Sequence, residues 1–180
     1  EVAGNPSAIA DIRKWAGQWD PGAPKKKALL IHGNVGTGKT SITGALAREK
    51  DWEVLEMNAS DKRSKDLVEQ IAGIGSQTKS FSGKRRVIVV EEMEGLSGVA
   101  DRGAAKALIE VIKKTRTPII LTCNDIKSRK ISSLKRYCEH VGLKKISPGA
   151  IVKRLKEILD AEGIGVEEIA ALQKLADNCE

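Results

Sequence analysis

The segment Gly33-Asn34-Val35-Gly36-Thr37-Gly38-Lys39-Thr40 constrains this chain more than any other. It fits a glycine, four free positions, then Gly-Lys-Ser/Thr. It directly follows Ala28-Leu29-Leu30-Ile31-His32, an apolar run bounded by charge and glycine that reads as a buried strand. It opens a helical pattern running from Ser41 to Lys50. Glycines between a strand and a helix let backbone N–H groups curl round phosphates, and the helix N-terminus adds about half a positive charge. Lys39 is then the cation for the β- and γ-phosphates, and the Thr40 hydroxyl is a ligand for Mg²⁺. From average residue usage, a chance match in a chain this long occurs about once in a hundred. The nucleotide-contact candidates are Gly33, Asn34, Val35, Gly36, Thr37, Gly38, Lys39 and Thr40, with Ser41 following.

Strand and helix patterns alternate on either side of this loop. Asn5-Pro6 reads as a helix start, with a capping side chain and then Pro at the first helical position. That helix stops before Pro21-Gly22, and Trp15 and Trp19 read as core or interface. Trp52 to Met57 is a strand pattern, Lys62 to Ala72 a helix, and Ile74 to Gly83 a Gly/Ser-rich loop. Arg86 to Val90 is a β-branched strand, Asp101 to Lys114 a helix and Thr117 to Thr122 a strand. Such alternation implies right-handed crossovers and a parallel sheet with helices on both faces. From Ser147-Pro148 onward only helical patterns follow, Ile151 to Leu159 and then Val166 to Ala176. The expected division is a nucleotide-binding domain over 1–146 and the start of a small helical domain over 147–180. The chain reaches Glu180 without an end signal, which reads as a segment of something longer.

Composition narrows the function. Hydrophobic residues make up 41% and charged residues 31%, as in a soluble globular chain. The longest apolar runs fall far short of the ~20 residues that span a bilayer. Five aromatics in all argue against base-stacking platforms. Cys123, Cys138 and Cys179 are odd in number and widely spaced, which points to a reducing compartment without a zinc cluster. The net charge is +7, unevenly spread: residues 101–160 carry 15 Lys/Arg against 6 Asp/Glu, residues 1–100 carry 15 against 13, and residues 161–180 carry 1 against 5. The basic excess is either a solvated face or a footprint for phosphate backbones.

Two further motifs complete a chemistry. Val87-Ile88-Val89-Val90-Glu91-Glu92 is an apolar strand ending in acids, about fifty residues beyond the glycine loop. Such a strand end supplies a metal ligand, here Glu91, and a general base, here Glu92. Pro118 to Asp125 is another buried strand with a polar end, where Asn124 can orient an attacking water or simply end the strand in a turn.

In this order the three motifs resemble the AAA+ ATPases, whose fold is the P-loop NTPase α/β sheet with a small helical lid. More narrowly the chain is similar to the large subunits of replication factor C, the sliding-clamp loaders, especially the archaeal form. Gly4-Asn5-Pro6-Ser7-Ala8-Ile9, the loop Lys25 to Thr40, Met57-Asn58-Ala59-Ser60-Asp61-Lys62-Arg63-Ser64, Glu91 to Gly95, Asp101-Arg102-Gly103 and Thr122 to Asp125 carry the likeness. It implies ATP and Mg²⁺ held by Lys39, Thr40 and Glu91, water polarised by Glu92, and Asn124 as the first sensor. Asn34-Val35 stands where the family usually has Pro-Pro, and Glu91 where it has Asp. Arg136-Tyr137-Cys138 matches a stretch that carries Ser-Arg-Cys in small subunits, so the resemblance implies that this chain donates no arginine finger. The lid's sensor arginine and an adenine-side segment are expected outside residues 1–180.

The implied role is ATP-dependent loading of a ring-shaped clamp onto primer–template DNA. The implied partners are small clamp-loader subunits, a PCNA-type sliding clamp, and DNA phosphates met by Arg102 and Lys106, one turn apart on a helix; the segment Ile74 to Phe81 is either a contact for that clamp or, through Phe81, local packing. The implied location is cytoplasmic in an archaeon or nuclear in a eukaryote. Two rivals remain at this point: an ATP-binding scaffold that hydrolyses weakly or not at all, and a P-loop small-molecule kinase.

Overall fold

A computed structural model describes residues 2–20, 22–60, 64–75, 83–95, 101–164 and 169–178. Five strands form one parallel sheet: β1 (Ala28–His32), β2 (Glu53–Asn58), β3 (Arg86–Glu91), β4 (Ile119–Cys123) and β5 (Cys138–Gly142). Their spatial order is β2-β3-β4-β1-β5, so β1, which feeds the glycine loop, lies between β4 and β5. β1, β3 and β4 read as continuous apolar runs because both their faces are covered.

Alternate residues of these strands feed two cores. On one face Ala28, Leu30, Ile88, Val90, Ile119 and Leu121 pack against α3 (Ser64–Gly75) and α4 (Asp101–Lys114) through Leu67, Ile71, Leu108 and Ile112. On the other, Leu29, Ile31, Val87, Val89 and Ile120 meet α1 (Pro6–Gly17) and α2 (Lys39–Glu49) through Ile12, Trp15, Ile42 and Leu46. Each such aliphatic side chain, fully buried, contributes about 1.5–3 kcal/mol. Trp15 and Trp19 are both core, in edge-to-face contact at 6.2 Å, with the Trp15 indole N–H donating to the Lys26 carbonyl at 2.9 Å. Cys123 and Cys138 are buried free thiols; burial pushes each up to about 12, so both stay protonated. His32 ends β1 half-buried against Gly142, and burial, then His140 and Lys135, depress its pKa and keep it neutral.

Asn5 departs from the expected helix cap. It sits at φ 51°, ψ 44°, and its side chain makes no capping bond to α1. Its Nδ2 donates to the Lys144 carbonyl at 2.9 Å and its Oδ1 accepts the Lys144 N–H at 2.8 Å. A long-range pair of bonds has displaced a local one, and each contributes about 1 kcal/mol. α3 continues through Gly75, so Ile74 is helical and packs on the core rather than opening a loop. The stretch 76–82, with Phe81, lies outside the described residues.

Four elements have no counterpart among the sequence patterns: the 3₁₀ turns at Met93–Gly95 and Lys135–Tyr137, α5 (Arg129–Ser132), and β5 itself. α6 (Pro148–Ala161) begins as read, with the Ser147 hydroxyl accepting the Ala150 N–H at 3.3 Å. It packs against α7 (Ile169–Asp177).

Candidate functional site

In a parallel sheet every strand delivers its C-terminal end to the same rim, so polar residues placed there gather. Five turns meet at this rim: those after β1, β2, β3, β4 and β5.

The turn after β1 is the glycine loop. Gly33 follows the strand directly, its N–H donating to the Cys123 carbonyl at 3.3 Å. A Cβ on Gly33 would lie 2.5 Å from the Leu143 carbonyl oxygen, so no side chain fits between the loop and the segment after β5. Gly38 caps α2 at φ 89°, a left-handed conformation that costs an L side chain about 1 kcal/mol or more. Space stays open where Cβ atoms would stand on Gly36 and Gly38. Within the loop the Thr37 hydroxyl donates to the Asn34 carbonyl at 2.8 Å. Val35 is 83% exposed at the tip, so it adds nothing to the core. Ser41 lies exposed in the first turn of α2.

Lys39 points back into this loop. Its ammonium donates to the Gly33 carbonyl at 2.7 Å, the Asn34 carbonyl at 2.9 Å and the Asn124 Oδ1 at 2.8 Å. All three of its donors are engaged. Thr40 turns the other way, its hydroxyl donating to Glu91 Oε1 at 2.7 Å. Glu91 is one methylene longer than Asp, and this reach carries its carboxylate onto Thr40. A hydroxyl and a carboxylate side by side are hard oxygen donors, and they suit Mg²⁺, which takes one or two protein ligands and fills its octahedron with water and phosphate oxygens. Among the described residues no cluster of three His, Cys, Asp or Glu offers an all-protein cage.

Glu92 follows at φ 53°, rare for a side chain with a Cβ, and its N–H donates to the Thr122 hydroxyl at 3.3 Å. Its carboxylate, exposed to solvent, accepts from the Asn58 side-chain amide at 3.2 Å. That amide is fixed in turn, because Asn58 Oδ1 accepts both the N–H (2.9 Å) and the hydroxyl (2.8 Å) of Ser60. Glu94, in the 3₁₀ turn after β3, accepts the backbone N–H groups of Asn124 and of Asp125, the latter at 3.0 Å.

The structure therefore gathers Lys39, Thr40, Glu91, Glu92 and Asn124 at one rim. Asn58, Ser60, Thr122 and Glu94 join them without having been given a role. Asn58 could have been found, since it ends β2 in register with Glu91, which ends β3. Glu94 could not, because its partners are backbone amides about thirty residues away. Lys106 is exposed on α4, whereas the Arg102 side chain lies outside what the structure describes. Tyr137 is half-buried, its ring flanked by the Lys113 ammonium at 4.9 Å and the Arg136 guanidinium at 5.8 Å. Among the described residues no helix is long and apolar enough to cross a membrane.

Comparison with known proteins gives this arrangement relatives. The profile of the ATPase family associated with various cellular activities (AAA) matches residues 29–144. A protein of Methanosarcina mazei named replication factor C large subunit is 39% identical over 178 residues, covering 99% of this chain and 29% of its own length. Proteins of the same name from Methanoregula boonei and Thermofilum pendens are 40% and 38% identical, over 37% and 43% of their lengths. The chain thus spans about a third of the curated relatives it matches.

Proposed function

The chain belongs to the AAA family of ATPases, and we propose that it is the ATP-binding and ATP-hydrolysing module of a clamp-loader large subunit. What supports the reading is the convergence of a phosphate loop, a hydroxyl–carboxylate pair and a buttressed second carboxylate at one rim, in a chain similar along its whole length to proteins named for that subunit.

In the proposed mechanism Lys39 exchanges its loop carbonyls for the β- and γ-phosphate oxygens. Thr40 and Glu91 hold Mg²⁺, which when bound neutralises charge on the phosphates. Asn58 holds the Glu92 carboxylate where it can take a proton from a water attacking the γ-phosphorus, as the bond to the β–γ bridging oxygen breaks. Asn124 supplies an amide to orient that water or the γ-phosphate. The catalytic work is positioning and charge stabilisation. Tyr137, standing at the finger position, donates no arginine to a neighbour, and Arg136 beside it is turned onto the Tyr137 ring.

The partners proposed with this role are small clamp-loader subunits, a ring clamp and primer–template DNA. The test is whether the full-length protein co-purifies with such subunits and a ring clamp, and whether the assembly turns over ATP faster on primed DNA. Absence of both overturns the reading. A second reading, a subunit that binds ATP without hydrolysing it, draws on Glu91 and Asn34-Val35 standing where the family has Asp and Pro-Pro; a Glu92→Gln change in this subunit alone that lowers the assembly's turnover overturns it.

DNA is proposed to be met through phosphates, since the basic excess is concentrated in 101–160 and a loader must act at any primer junction. Arg102 and Lys106 lie one turn apart on α4, near the N-terminus that favours anions. Each phosphate contact contributes about 0.9 to the slope of log affinity against log salt. Arg102→Ala in the assembly will lower that slope by about one unit, equally on unrelated sequences. An unchanged slope in a salt titration returns these residues to a solvated face.

A further inference from the structure

Two neighbouring turns of the rim, those after β3 and β4, are joined by a contact that none of the roles above uses. Glu94 leaves β3 in a 3₁₀ turn only two residues beyond Glu92, yet its Oε1 reaches the first two backbone N–H groups after β4, those of Asn124 and Asp125. One carboxylate oxygen thereby takes both donors, in the charge-assisted form that is about twice as strong as a neutral hydrogen bond. The turn carrying Glu94 is itself fixed. Met93 before it is fully buried, and Gly95 after it packs so closely on Ser60 that a Cβ would stand 2.8 Å from the Ser60 nitrogen. On the far side, Asp125 Oδ1 accepts the Lys127 N–H at 2.8 Å, so the turn after β4 is closed from within as well.

We propose that Glu94 is a positioning residue: it clamps the backbone at Asn124 and Asp125, and so holds the Asn124 amide at the phosphate loop, where Lys39 now meets it at 2.8 Å. The clamp makes the end of β4 follow the end of β3, so the groups assigned to the attacking water, Glu92 and Asn124, are held as one unit. Glu94 touches no phosphate and no water in this scheme; it acts through Asn124. This inference rests on the proposed ATPase reading for the part Asn124 plays, while the clamp itself is a property of the nucleotide-free chain.

The test uses amide hydrogen exchange on the nucleotide-free protein and turnover by the full assembly. Glu94→Ala removes the acceptor, and exchange at Asn124 and Asp125 accelerates at least tenfold, with the buried amides of β1 and β4 unchanged. In the assembly the same variant lowers kcat for ATP at least tenfold and leaves KM within about twofold, because Lys39 still reaches the phosphates. Glu94→Gln keeps an oxygen acceptor of the same reach, and it holds exchange and kcat within about threefold of the parent. Equal exchange at Asn124 and Asp125 in the parent and Glu94→Ala overturns the clamp. So does a Glu94→Gln loss as deep as that of Glu94→Ala, which would assign the effect to charge, or a loss in KM alone. Failure of the parent assembly to turn over ATP overturns the ATPase reading instead, and leaves the exchange result to decide the clamp.

Discussion

Glu92→Gln will lower Mg²⁺-dependent ATP turnover by the assembled protein a hundred- to ten-thousand-fold, about the range a positioned general base supplies. The substitution keeps the shape of the side chain and an oxygen for the Asn58 amide, so the 3.2 Å contact survives. What it removes is the ability to take a proton from water. Glu92 lies outside both cores and is exposed, so nothing in the packing depends on its charge. ATP affinity should therefore stay within about threefold, a difference below 1 kcal/mol. Single-turnover hydrolysis and a nucleotide titration separate the two quantities. Turnover at the parental rate would move the base elsewhere on the rim.

Lys39→Ala will weaken ATP binding at least tenfold, about 1.4 kcal/mol or more. The figure is a difference between two sets of partners. In the nucleotide-free chain the ammonium is already satisfied by two loop carbonyls and the Asn124 oxygen. Triphosphate oxygens are charged acceptors and bind it more strongly than neutral ones do. Removing the side chain thus loses only the excess of phosphate over carbonyl, plus the positive potential it adds to the loop. The same logic predicts a small cost to the fold: Lys39 is half-exposed and belongs to neither core. An isothermal titration with ATP, beside a thermal melt without it, checks both halves. Undiminished affinity would remove Lys39 from the phosphate site.

Much of the fold was legible because the apolar runs carry it. Residues 28–31, 87–90 and 119–123 are buried on both faces of the sheet, so they read as apolar runs. The sequence marks no strand at β5 because it is an edge: Cys138 and Val141 are buried, but Glu139, His140 and Gly142 are exposed, which breaks both the run and the alternation. Asn5 misled because the residue type and the Pro after it do favour a cap; the competing partner, Lys144, is remote in sequence and invisible to local rules. The positions of Lys39, Thr40, Glu91, Glu92 and Asn124 at the rim were legible, since each ends or directly follows a strand or lies in the first turn of a helix. The turn of Lys39 back onto the Gly33 and Asn34 carbonyls was not, because local patterns do not mark side chain–backbone bonds of this kind. Asn58 and Glu94 act on other parts of the rim through hydrogen bonds, and a single sequence does not mark such pairs.

The Asn5–Lys144 pair has a consequence for how the start of α1 and the end of the sheet hold together. Leu143 gives its N–H to the His32 carbonyl of β1. Lys144, two residues beyond the end of β5, donates its N–H to one end of the Asn5 amide and accepts from the other with its C=O. The residue just before α1 is thereby tied to the segment just after the last strand, 139 positions away in sequence. Parting the two costs both hydrogen bonds, about 1 kcal/mol each. The asparagine that failed to cap a helix works instead as a clasp between them.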